Sequence, residues 1–188
     1  MNGDDDWGAL IEEMLPPGQH CIRIDRDKVF SRGELTRAFP GGVDPWEGTR
    51  YAVQPTRWRA NLFDITSRSV ILLVKAFTEE EALALGAQRI AGEVCLDMDM
   101  VAKWGIEHAW CPADLQELIH VGMDPNTRDI QLERRVIGYG SVGIASTTEF
   151  IWILGSTEDG RRYVRCEWRG VHPVNECYYI FVRSPEPI

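Results

Sequence analysis

The stretch Glu149–Arg169, EFIWILGSTEDGRRYVRCEWR, decides the fold class. Two β-rich runs, Glu149–Gly155 and Arg161–Arg169, flank Thr157-Glu158-Asp159-Gly160, a polar tetrapeptide ending in glycine that reads as a hairpin turn. In the second run Val164, Cys166 and Trp168 alternate with Tyr163, Arg165, Glu167 and Arg169, which predicts one buried and one wet face. Similar runs stand on either side, at Ile130–Tyr139 and Glu176–Arg183. Four strands in sequence with short connections predict an antiparallel meander.

Upstream the period changes. Asp4, Asp5 and Asp6 offer a helix cap ahead of an apolar stripe of Trp7, Leu10, Ile11 and Met14, and Pro16-Pro17-Gly18 stops it. Gln19–Asp25 reads as a short strand. Ser31-Arg32-Gly33-Glu34 has capping-box spacing and opens a short helix carrying Leu35, Ala38 and Phe39. Strand signals follow at Arg50–Gln54, Asn61–Thr66 and Val70–Phe77, the last dense enough to be buried. Thr78-Glu79-Glu80-Glu81 is a second capping box, and Leu83, Ala87, Ile90 and Val94 then share a helical face, which predicts a long helix. Leu96–Trp110 fits either a continued helix or a break near Gly105. Pro112 suits the first position of a short helix bearing Leu115, Leu118 and Ile119. The expectation is a single α+β domain over residues 1–188, with helices and early strands packed on a C-terminal antiparallel meander sheet.

Composition narrows the function classes. A 188-residue chain with 44% hydrophobic residues buries a sizeable core without disulfides or metal. The five cysteines are odd in number and form no C-x-x-C pair, the N-terminus is acidic, and no apolar run spans a bilayer. These features predict a cytoplasmic protein with no membrane segment. The net charge of −9 is uneven: residues 78–129 hold 11 acids against 3 bases. Such a field disfavours nucleic acid and favours basic protein partners.

Several groupings have the residue types of a chemical site. Gly138-Tyr139-Gly140-Ser141-Val142-Gly143 matches the dinucleotide pattern G-x-G-x-x-G, yet a strand pattern follows where a helix must receive the pyrophosphate. A connection between strands explains it better. His108 and Cys111, with Glu107, fall short of a zinc set, as do adjacent His20 and Cys21. Asp97-Met98-Asp99-Met100 resembles a D-x-D magnesium pair without further ligands, so no metal or other cofactor is expected. Any Cys–His dyad would draw on His20, His108, His120 or His172, and no local signature supports one. Cys166 and Cys177, on consecutive predicted strands, are placed to face each other as thiols. Arg57-Trp58-Arg59, near Arg50 and Arg68, mixes base-stacking and phosphate-binding types, but such arginines more often pair with acids on neighbouring helices.

The general profile resembles bacterial immunity and antitoxin proteins in type only. The expectation is a non-enzymatic protein-binding module, an inhibitor or immunity-type protein that engages a basic partner. Its candidate contacts are Asp97, Asp99, Glu79, Glu80, Glu81, Asp4, Asp5, Asp6, Trp104 and Trp110. The alternatives are a small enzyme whose site assembles from scattered residues such as His108, Cys111 and Asp99, and a structural subunit of a phage or secretion particle.

Overall fold

The computed structural model describes residues 15–43, 52–57 and 69–183. The expected first helix with Asp4–Asp6, the strand at 61–66, and Arg50, Trp58, Arg59 and Arg68 lie outside them. The strands are β1 Gln19–Arg23, β2 Gly42–Val43, β3 Ala52–Pro55, β4 Ser69–Lys75, β5 Gln88–Ile90, β6 Glu93–Asp97, β7 Cys111–Pro112, β8 Arg135–Ala145, β9 Thr148–Ser156, β10 Arg162–Trp168, β11 Val171–Pro173 and β12 Cys177–Arg183. The helices are α1 Arg32–Ala38, α2 Glu79–Ala84, α3 Met98–Glu107, α4 Leu115–Met123 and α5 Ile130–Glu133. The class is α+β, as the sequence predicts.

One mixed sheet organises the protein, in the order β1-β4-β12-β8-β9-β10-β2, with β3 on β8 and β7 on β12. A small second sheet runs β11-β6-β5. The meander is three strands rather than four: β8, β9 and β10 pair antiparallel, but β12 lies parallel to β8, with Cys177 opposite Arg135. After β10 the chain spends β11 on the small sheet and re-enters beside β8. Cys166 and Cys177 are consequently separated by two strands and do not face each other.

Both faces of the main sheet are covered, which accounts for its dense apolar runs. Trp152, Leu154, Ile180 and Val182 meet Leu35 of α1, Phe39 just after it and Leu118 of α4 on one side. Ile151, Ile153, Tyr179 and Phe181 meet Ala82, Leu96 and Val101 from α2, β6 and α3 on the other. The one-face expectation for β10 gives way for the same reason: Tyr163 and Val164 are both buried, and Trp168 at the strand's end is 68% exposed.

Two of the capping boxes act as read, Ser31 with Glu34 on α1 and Thr78 with Glu81 on α2. The long helix does not form. Gly86 takes φ 97 after α2, while Ala87 N donates to Ala82 O and Gly86 N to Leu83 O, a Schellman stop. Ala91 and Gly92 then both take positive φ, turning the chain into the β5–β6 hairpin. Similarly, α4 starts from an Asp114–Glu117 capping box, and Pro112 belongs to β7. The Ile130–Tyr139 run opens as the short helix α5 before becoming β8.

Candidate functional site: an apolar groove at the start of helix α4

The glycine-rich segment of β8 shapes this region. Along it the pairing advances from Gly138 to Gly143 while β9 moves only from Trp152 to Phe150, so the strand bulges. The bulge presses on the β7–α4 connection. A Cβ on Gly138 would lie 2.8 Å from Ala113 O, and one on Gly140 would lie 2.7 Å from both the Ala113 carbonyl carbon and Asp114 N. Gly140 N donates to Ala113 O, and Gly140 O accepts from Thr56 N. These glycines permit backbone to touch backbone.

The approach also places Ser141 at the first turn of α4, where its Oγ accepts from Leu115 N at 2.9 Å. Asp114 Oδ1 accepts from Glu117 N, and Glu117 Oε2 accepts from Asp114 N, both at 2.9 Å. Ser141 and the capping pair thus occupy N–H groups that an anion would need, and two carboxylates stand beside them. A G-x-G-x-x-G run does meet a helix N-terminus in space, in a form built for self-capping and not for phosphate.

The loop 24–30 forms one wall and is fastened to α4. Gln116 Nε2 donates to Asp25 O and Lys28 O, and Arg26 Nη2 reaches Glu117 Oε1, a fully buried carboxylate, at 2.8 Å. His120 Nε2 accepts from Asp25 N at 3.1 Å, so its Nδ1 carries the proton that meets Gln116 O. That neutral tautomer agrees with burial, which lowers the His120 pKa. The Phe30 ring stands edge-on to His120 at 5.1 Å. Strand β3 forms the other wall, registered on the bulge with Pro55 opposite Ser141 and Val53 opposite Gly143.

Between the walls is a groove of about 440 Å³. Phe30, Leu115 and Ile119 line it with Val53 and Pro55, and Lys28, Gln54 and Gln116 add polar groups. Val29 on one rim is 91% exposed and Val53 on the other 45%. Val29 and Val53 were not singled out from sequence, because they stand 24 residues apart and nothing local brings the two together.

The described residues expected as partner contacts, Asp97, Asp99, Glu79, Glu80, Glu81, Trp104 and Trp110, do not line this groove, and most act within the fold. Asp97 caps α3 by accepting from Asp99 N. Asp99 meets Arg169 at 2.7 Å, Arg57 at 2.9 Å and the Tyr139 hydroxyl at 3.1 Å, and Arg169 also pairs with Glu149. The pairing of Arg57 with a helix acid is the one the sequence favours for that arginine. Burial raises the Tyr139 phenol pKa, with Arg169 opposing. Glu79 pairs with Arg89 and Glu81 with Lys75, while Glu80 is exposed. Trp104 is half-buried, edge-on to Phe77 and stacked with His108. Trp110 is buried beneath the Arg183 guanidinium.

His108, Cys111 and Asp99 do not converge. Asp99 is in the first turn of α3, His108 caps its far end, and Cys111 is fully buried. Among the described residues, no three His, Cys, Asp or Glu side chains are grouped to hold a metal ion. No described helix is long and apolar enough to cross a membrane. Comparison of the chain with protein-family models, with curated proteins and with solved structures gives no match.

Proposed function

We propose that this chain is a non-enzymatic binding module that seats an apolar side chain of a basic protein partner in the groove at the start of α4. The observation that carries the reading is the pairing of Val29 and Val53, exposed on opposite rims of one apolar groove. Single exposed aliphatic residues are ordinary on a surface, but two flanking a concave apolar floor have the form of an anchor pocket. The wall alternates Asp25 and Asp27 with Arg26 and Lys28, so attraction for a cationic partner rests on the chain's overall charge of −9. An inhibitor or immunity-type role is the narrower form of this proposal.

The test is capture of partners by the tagged full chain and by its Val29→Glu variant, each at low and high salt, with mass spectrometry of the eluate. The expected result is one stoichiometric basic protein that is lost on Val29→Glu and weakened by salt. An eluate that the substitution leaves unchanged, or one containing only the chain itself, overturns the reading. The self-only outcome transfers the assignment to an assembly subunit.

A further inference from the structure

Three arginines line one cavity of about 300 Å³ at the opposite end of α4: Arg37, Arg128 and Arg162, with Met123 and Ala38 beside them. Tight packing brings their elements together. A Cβ on Gly41 would lie 2.5 Å from Arg161 O, and Gly41 N donates to Arg162 O at 2.7 Å, which draws the end of α1 onto β10. A Cβ on Gly122 would lie 2.7 Å from the Phe39 ring, which presses the end of α4 onto α1. Thr127 Oγ1 donates to Val121 O and Gln131 Nε2 to Arg128 O, fixing the turn that carries Arg128. The backbone at this junction is closely packed, and the three arginines border one space from three separate elements.

Like charges gathered this way repel unless something neutralises them. Elsewhere many cations are answered by acids, as Arg26, Arg57, Lys75, Arg89, Arg135 and Arg169 each have a carboxylate within 2.9 Å, while Arg134, Arg165 and Arg183 lie over aromatic rings. The acids nearest this cavity serve it poorly. Glu34 lines it but receives Ser31 N and Ser31 Oγ at 2.8 Å and Lys28 at 3.3 Å. Asp129 approaches Arg128 only to 3.7 Å, on an exposed surface. Among the described contacts, Arg162 spends one N–H on Gly122 O and Arg37 one on Gly33 O. A guanidinium has five donors, so the described contacts take up only a small part of the donor capacity.

We propose that this junction is a binding site for a phosphate group, held by Arg37, Arg128 and Arg162. Planar guanidinium forks match the oxygens of a tetrahedral phosphate, and three of them in a chain of net −9 make a local positive well inside a repelling field. The site is independent of the groove reading.

The experiment titrates the full chain with inorganic phosphate, pyrophosphate and succinate at constant ionic strength, by calorimetry. Arg37→Gln and Arg128→Gln replace exposed side chains and leave the junction's backbone bonds in place; Arg89→Gln is the control. Saturable one-to-one binding of phosphate is expected, weakened about tenfold by Arg37→Gln or Arg128→Gln and unchanged by Arg89→Gln. Tighter binding of pyrophosphate than of phosphate assigns a phosphoanhydride, and equal binding a phosphomonoester. Absence of saturation, equal loss in Arg89→Gln, or succinate binding as tightly as phosphate overturns the proposal.

Discussion

Replacing Gly140 with alanine tests whether the glycine-rich run is there for packing. The new methyl group would sit 2.7 Å from Ala113 C and Asp114 N, and closer still to Pro112 O. All three are backbone atoms, so no side chain can swing away. Relief requires the bulge and the β7–α4 connection to part, which strains the hydrogen bonds from Gly140 N to Ala113 O and from Thr56 N to Gly140 O. Overpacking typically costs 1–3 kcal/mol, and with two strained bonds added about 3 kcal/mol is expected. In a chain this size each kcal/mol moves the melting midpoint by roughly 2–4 °C, so the fall is about 6–12 °C. The control is Gly33→Ala, whose methyl group meets nothing within 4 Å on α1. It gains about 0.5–1 kcal/mol from the lost flexibility of the unfolded chain. Paired thermal and urea melts read both. A Gly140→Ala protein as stable as the parent would refute the close-approach account and reopen the phosphate-loop reading of the motif.

Two further outcomes follow from local geometry. Ala91 sits at φ 52 in the two-residue β5–β6 turn, a conformation asparagine tolerates better, so Ala91→Asn should stabilise the protein by about 1 kcal/mol in urea melts. A destabilised variant would show that the turn is not of the primed type. His172 in β11 is buried, and burial, with Arg135 adding to it, holds its pKa down at about 4 from the ordinary 6.5. Between those values the unfolded chain binds the proton and the fold does not. This contribution is therefore whole above pH 6.5 and lost as pH falls through about 4, up to about 3 kcal/mol. His172→Phe should flatten the fall in stability between those pH values, and an unchanged fall would remove the group from the account.

What could be read from sequence was what neighbouring residues decide. The Ser31–Glu34 and Thr78–Glu81 boxes and the Thr157–Gly160 turn each lie within four residues, and each formed as read. The predicted helix beyond Glu81 failed because Gly86 and Ala91-Gly92 impose positive φ inside a pattern that counts only apolar spacing. The fourth meander strand failed because β12's partner is chosen by what its faces bury, not by its neighbour in sequence. The groove was illegible for a related reason. Its walls come from three separated segments, and Val29 becomes notable only once Gln116, Glu117 and His120 fix the loop that presents it.

Helix α4 links the two proposed sites, with the groove at its start and the arginine junction at its end. Its nine residues span about 13 Å. Communication by movement would require the helix to slide. Sliding would pull the buried Glu117 from Arg26, His120 from Asp25 N and Gly122 from the Phe39 ring together. Removing one partner of a buried ion pair alone costs about 3–5 kcal/mol, more than the 1–3 kcal/mol over which ligands usually couple. The helix is therefore a strut and not a lever. A phosphate at one end and a protein partner at the other should bind independently except for charge, and at about 13 Å that influence is largely screened at physiological salt.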